Sequence, residues 1–314
     1  MACQPRLLQF SAPDPRGVHT VAYTEWGRVD AARRVVCVHG LTRNGRDFDA
    51  LAAALSAACR VACMDVVGRG RSDWLEHKED YGFALYQSDA MELIARLTAS
   101  APRRFWSRWF SRRAEPRVAQ VDWVGTSMGG LIGMMLAARP DAPIRRLVLN
   151  DVGPQVSWRA LLRLKGMHGN GYPHFDDLAA AEAYLREACA GFGPLDDARW
   201  REVTRHSIAP VATGGFRLGW DPDIMRSLPR HGMSGVEFEI DLLFGLDLWS
   251  LWARVRCPVL VLRGADSDLL TAETVRRMQA SGPPVEVVEF HGVGHAPWLM
   301  SEEQIAMVRD FLLE

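Results

Sequence analysis

Ser127 stands at the centre of Gly125-Thr126-Ser127-Met128-Gly129-Gly130, and a histidine, His295, and several aspartates lie further along the chain. A serine hydroxyl is a poor nucleophile near neutral pH and needs a neighbouring base to take its proton. An imidazole titrates in the right range to accept that proton and return it to a leaving group. A carboxylate behind the imidazole would hold the correct tautomer and stabilise the imidazolium. These residue types together point to acyl transfer. His291 is a rival base, and Asp151, Asp266 and Asp268 are all candidates for the acid.

Such groups act only if the elements around them bring them together. The run Val118 to Val124 reads as a buried strand, and Leu131 to Arg139 as a helix ending at Pro140. A strand, a tight turn and a helix would project Ser127 out of a sheet. Gly125 and Gly129 are needed there because side chains would clash as the chain reverses. The helix N-terminus would also aim free N–H groups and a positive dipole end at a developing oxyanion. Earlier, Leu7 to Ser11 and His19 to Trp26 read as strands around a Pro/Gly turn. Arg34 to Val38 and Arg60 to Val67 are further strand-like runs, with helical spacing from Phe48 to Cys59 and from Tyr86 to Ser100. Ile144 to Asn150, Pro258 to Leu262 and Val285 to Phe290 read as strands. Thr271 to Ser281, with Thr271 as N-cap, and Ser301 to the end read as helices. This alternation predicts parallel strands joined by crossover helices. It breaks between Pro154 and Ser250, a stretch rich in aromatics that reads as a helical insertion over residues 154–250, with core residues 1–153 and 251–314 on either side.

In open parallel sheets, ligands gather at the carboxyl ends of strands. His39, Asp65, Ser127, Asp151, Asp266, Asp268, His291 and His295 all sit just past predicted strand ends, and serine, acid and histidine follow one another in that chain order. With His39-Gly40, Asp65-x-x-Gly68-x-Gly70-x-Ser72, Gly125-x-Ser127-x-Gly129-Gly130 and Gly294-His295 in sequence, the chain resembles the α/β-hydrolase superfamily over essentially its whole length. The resemblance implies an α/β fold with a mostly parallel, doubly wound sheet and an inserted helical cap. It implies Ser127 as nucleophile and His295, followed by Ala-Pro-Trp, as base. It favours Asp268, followed by Leu269-Leu270, as the acid over Asp266 and Asp151. It also implies an oxyanion hole built from the N–H groups of Leu41 and Met128, with His39 in a structural role.

Ser127 in the nucleophile position argues against the dehalogenase and epoxide-hydrolase branches, which need a carboxylate there. Ala296 after the histidine weakens a carbon–carbon hydrolase reading, because those enzymes usually carry an aromatic residue at that place. The expectation is a carboxylesterase acting on a small-molecule ester of small or medium acyl or aryl type. Thioesterase or lactonase activity on the same triad, and a catalytically weak ligand-binding protein of the same fold, are the alternatives. Trp158, Trp220 and Trp298 are candidates for an apolar substrate wall. Arg43 could meet an anionic substrate group or simply face solvent.

A net charge of -1 over 314 residues gives no support to a nucleic-acid partner. No window nears the roughly 18 apolar residues of a membrane span, and the N-terminus has no signal-peptide pattern, so a cytoplasmic location is expected. Six scattered cysteines read as reduced thiols. The histidines show no metal-ligand spacing, and Gly68-Arg69-Gly70 lacks the lysine of a phosphate loop, so no cofactor or metal is expected. Arg103 to Arg117 interleaves arginines with Phe105, Trp106, Trp109 and Phe110. It reads as a solvated connection or as a peripheral membrane or partner contact. Oligomeric state is not legible.

Overall fold

A computed structural model describes residues 4–99, 120–156, 172–225, 240–241 and 245–314. Trp158 and the Arg103–Arg117 segment lie outside them.

One eight-stranded sheet organises the chain. Its strands are β1 (Arg6–Asp14), β2 (Gly17–Trp26), β3 (Arg33–Val38), β4 (Cys59–Met64), β5 (Val121–Thr126), β6 (Ile144–Asn150), β13 (Val259–Gly264) and β14 (Val285–Phe290). They stand in the order β1-β2-β4-β3-β5-β6-β13-β14. β1, β2 and β4 pair antiparallel, and all pairs from β4 to β14 are parallel. The parallel strands are apolar runs because both faces are covered: Val35 to Val38, Val121 to Val124 and Val259 to Leu262 are buried throughout. The two apolar layers that result lie on opposite pleats of the same strands, Val36 and Val38 in one, Val35 and Cys37 in the other.

Helices α1 (Asp49–Leu55), α2 (Phe83–Thr98), α3 (Met128–Ala137), α7 (Ala272–Ala280) and α8 (Glu302–Leu313) connect or flank these strands. Thr271 and Ser301 cap α7 and α8, their hydroxyls accepting from Thr274 and Gln304 N–H. α3 begins at Met128, three residues before the expected Leu131, since the turn after β5 is a single residue, Ser127.

Between β6 and β13 the chain leaves the sheet. It forms α4 (Leu178–Ala188), α5 (Asp197–Ser207) and the short α6 (Trp249–Trp252). The expectation of a purely helical stretch is corrected. Pairs of two or three residues, β7 (Gln155–Val156), β8 (His174–Phe175), β9 (Ile208–Pro210), β10 (Phe216–Leu218), β11 (Ile240–Asp241) and β12 (Gly245–Asp247), build two three-stranded sheets, β8-β10-β9 and β11-β12-β7. Strands this short leave no alternation to read. The inserted segment is tied to the core by backbone bonds at loops that border the sheet's carboxyl ends. Gly70 N–H donates to Gly219 O, Asp221 N–H to Gly68 O, and Gly294 N–H to Gly191 O, at 2.8, 2.8 and 2.6 Å. No described helix is long and apolar enough to cross a membrane. Cys37, Cys59, Cys63, Cys189 and Cys257 are free thiols.

Candidate active site

The turn between β5 and α3 holds Ser127 at φ 51°, ψ −116°, a conformation that L-residues rarely adopt. Close packing forces it. A Cβ on Gly125 would stand 2.4 Å from the Gly129 carbonyl, and one on Gly129 would stand 2.0 Å from Val38 O. The strand and helix touch backbone to backbone, leaving the hydroxyl outermost. Trp123, fully buried on β5, locks the same corner by donating its indole N–H to Gly129 O at 2.9 Å.

His295 follows β14. Its Nε2 lies 3.0 Å from Ser127 Oγ, and its Nδ1 lies 2.7 Å from Asp151 Oδ2. A carboxylate can only accept here, so Nδ1 carries the proton and Nε2 faces the hydroxyl with its lone pair. Asp151 is fully buried just past β6. It sits at φ 55°, a left-handed position that aspartate tolerates better than most residues. Three donors converge on it: Gly264 N–H on Oδ1 at 2.9 Å, and Ser267 O–H (2.5 Å) with His295 N–H on Oδ2.

The carboxylate that the structure hydrogen-bonds to His295 Nδ1 is thus Asp151, where Asp268 was expected. Asp268 and Asp266 are exposed on the loop after β13 and line the cavity above Ser127 instead. From that loop Ser267 donates to Asp151. His291 is exposed at the end of β14, and only His295 of the two lines the cavity. Asn150 ties the parts together. Its carbonyl accepts from Ser127 N–H at 3.0 Å, and its side chain donates to Thr126 Oγ1 (3.0 Å) and Pro297 O (2.8 Å).

His39 is buried behind the site. Its Nδ1 donates to Gly40 O at 2.7 Å and its Nε2 accepts from Val66 N–H at 3.0 Å. Burial pushes its pKa down to about 3, which fixes it neutral and structural.

Sequence reasoning missed Arg69, a fully buried arginine in the Gly68-Arg69-Gly70 loop. It donates to Leu41 O (2.8 Å), Val67 O (2.7 Å) and Tyr86 Oη (2.9 Å), and its Nη2 lies 3.7 Å from Met128 Sδ. One guanidinium thus holds both residues that the resemblance assigns to the oxyanion hole. The glycines on either side of it, Gly68 and Gly70, both adopt positive φ.

Ser127 and His295 line a cavity of about 270 Å³. Gly40, Leu41 and Arg43 line one part, and Tyr184, Leu185, Cys189 and Phe192, from α4 and the turn after it, line another. Trp220 lines it as expected. Trp298 does not: it is buried beneath, packed against Phe192 and Trp200 with ring centroids 4.8 and 5.7 Å away. Glu202 and His206, one turn apart on α5, bring ligand atoms within 4.8 Å of Asp49, a grouping the sequence spacing did not suggest. Arg46 already pairs with Asp49 there.

A sequence model of the alpha/beta hydrolase family matches residues 35–308. The chain is 41% identical to a 3-hydroxybutyrate-oligomer hydrolase of Cupriavidus necator, over 99% of each chain. It is 27% identical to a 2-(acetamidomethylene)succinate hydrolase of Mesorhizobium japonicum, over 82% of this chain and 79% of that one. Among solved structures, an alpha/beta hydrolase from Novosphingobium aromaticivorans superposes with a TM-score of 0.79 at 30% identity, covering 100% of this chain and 99% of that one. With its family match, its relatives and its sheet in agreement, the chain belongs to the alpha/beta hydrolase family.

Proposed function

We propose that the protein is a serine hydrolase that cleaves carboxylic esters in short hydroxyacid oligomers, through an acyl-enzyme. The observation that carries this reading is the unbroken hydrogen-bonded chain from Ser127 Oγ through His295 to buried Asp151 at the floor of a cavity. Nucleophile, base and acid are all side chains, so the chemistry asks for no metal or cofactor. His295 Nε2 takes the hydroxyl proton as Ser127 attacks the ester carbonyl. Asp151 stabilises the imidazolium across the 2.7 Å bond. The N–H groups of Leu41 and Met128 receive the oxyanion, Met128 N–H being the first of a helix and so without a helical acceptor. His295 then protonates the departing alcohol, and water releases the acid by the same route in reverse.

The described residues between β6 and β13 serve as a cap over the cavity, with Tyr184, Phe192 and Trp220 as its apolar face. At about 270 Å³ the space sits just below the usual ~300–1,000 Å³ of ligand pockets, which favours a substrate of two or three short units. The substrate class is taken from the Cupriavidus relative, whose name describes an oligomer hydrolase.

The test is hydrolysis of 3-hydroxybutyrate dimer, 3-hydroxybutyrate trimer and p-nitrophenyl butyrate, by the native protein and by Ser127→Ala. The expected result is turnover of all three, lost by at least ~10⁴-fold in the variant. Turnover that survives Ser127→Ala removes the nucleophile assignment. Turnover of the p-nitrophenyl ester with inert oligomers leaves an esterase but removes the oligomer reading.

A further inference from the structure

Arg43 is not a surface arginine. It is 7% exposed and lines the cavity. Asp47 takes its Nε (2.8 Å) and Nη2 (2.6 Å) along one edge of the guanidinium, and its carbon lies 5.3 Å from the Trp298 ring centroid. Those contacts fix the fork before any ligand arrives, so little side-chain entropy is lost on binding. They leave the Nη1 hydrogens without a protein acceptor among the described residues. The point where a Gly40 Cβ would stand is 3.6 Å from Ser127 Cβ and 3.9 Å from Arg43 Cγ. The nucleophile and the stem of the arginine therefore stand close to one another on either side of Gly40, in the wall of one cavity.

Charge around this space is ordered by the sheet. Arg43 comes from the loop after β3, on one side of the strand β5 that delivers Ser127. Asp266 and Asp268 come from the loop after β13, on the other side, and line the same cavity. An anionic group is drawn toward one side and repelled from the other.

Resting on the ester-hydrolase reading, we infer that Arg43, oriented by Asp47, is a carboxylate subsite that makes the enzyme select substrates bearing a free carboxylate close to the scissile ester. In a 3-hydroxyacid oligomer the terminal carboxylate is two carbons from the last ester oxygen. The preferred bond is then the ester next to the free acid end, and the oligomer is shortened from that end. Asp47 shares the positive charge and moderates the attraction. What remains is a charge-assisted hydrogen bond from Nη1, worth roughly 10- to 100-fold in selectivity.

The experiment compares 3-hydroxybutyrate dimer as the free acid with the same dimer capped as its methyl ester. The native protein is expected to favour the free acid by at least ~10-fold in kcat/KM, mainly through KM. Arg43→Gln brings the ratio close to one, and Arg43→Lys restores part of it. A native ratio near or below one, or a preference that survives Arg43→Gln, overturns the assignment. A second arm needs no variant: inhibition of p-nitrophenyl butyrate hydrolysis by 3-hydroxybutyrate and by its methyl ester. Tighter inhibition by the acid, by at least ~10-fold, is expected, and equal inhibition overturns the subsite. Failure of the native protein on both dimers removes the oligomer reading, while the inhibition arm still decides the subsite.

Discussion

Asp151→Asn should nearly abolish turnover, whereas Asp268→Asn should change kcat by less than about tenfold. Asparagine is the informative substitution because it has the shape of aspartate and tolerates the φ of 55° at residue 151. Three donors face the carboxylate, from Gly264, Ser267 and His295. An amide offers one accepting oxygen and two N–H donors. If the oxygen stays with Gly264, the NH2 faces His295 Nδ1 and forces that nitrogen to become the acceptor. The ring proton then moves to Nε2 and points at Ser127, leaving no base for the hydroxyl. If the amide turns over, the NH2 meets Gly264 N–H, and one buried donor loses its partner at a cost of about 1–3 kcal/mol of stability. The wrong tautomer is worth about 10⁴-fold in kcat, or roughly 5 kcal/mol of barrier. Steady-state hydrolysis of p-nitrophenyl butyrate, with circular dichroism to check folding, reads both quantities. A folded Asp151→Asn protein within tenfold of native activity, or an Asp268→Asn protein as impaired as Asp151→Asn, refutes the assignment of the acid.

Arg69→Met removes the anchor of Leu41 O and the contact to Met128, so kcat should fall about 10- to 100-fold with a smaller change in KM; an unchanged kcat in a folded variant counts against the arginine's positioning role. Gly129→Ala places a methyl 2.0 Å from Val38 O, and the strand-helix corner cannot yield without moving β3; a loss of more than about 3 kcal/mol in urea unfolding is expected, and a loss under about 1 kcal/mol would show that the corner is loose. His39 has a folded pKa near 3 against an unfolded value near 6.5, so between those values the unfolded chain binds one more proton. Its stabilising contribution is complete above about pH 6.5 and declines as pH falls toward 3. Relative to His39→Asn, which keeps a donor for Gly40 O but does not titrate, the native protein should lose about 2 kcal/mol between pH 7.5 and 5 in urea unfolding. A difference that does not vary with pH contradicts the buried neutral state.

The parts of this molecule that sequence made legible are those set by short-range backbone demands. A serine between close-packed glycines, at the end of a buried strand, has few other conformations available, and the strand-turn-helix at 121–137 overlaps the expected elements, with the helix starting three residues early. The acid is different. Asp151 follows an apolar strand directly and Asp268 follows one after a short turn, and β6 and β13 are neighbours in the sheet, so both acids lie at the same end of adjacent strands. What separates them is three-dimensional: the donors Gly264 N–H and Ser267 O–H meet at Asp151 and make a buried carboxylate tolerable there. Arg69 was illegible for a similar reason. A charged residue in a glycine-dense loop reads as solvated until the carbonyls of Leu41 and Val67 turn inward to it. The strands of the inserted segment escaped because two- and three-residue pairings carry no period.

An acid at the end of β6, as proposed, changes what the loop after β13 does. A carboxylate committed to the histidine must be desolvated and saturated with donors, as Asp151 is. Asp266 and Asp268, exposed at the cavity, contribute charge to its lining. Arg43 stands on the far side of β5 with its partner Asp47. The proposed mechanism and the proposed subsite separate two tasks. In the first, the relay of Ser127, His295 and Asp151 sets the chemistry of the attack, and in the second, the charges at β3 and β13 set the direction in which a charged substrate lies across it. Substitution at 151 should act on kcat for every ester, charged or neutral, and substitution at 43 should act on the ratio between them. A variant at 43 that lowered kcat equally for free-acid and capped dimers would merge the two tasks, and would show that the arginine supports the Leu41 loop and takes no part in reading the substrate.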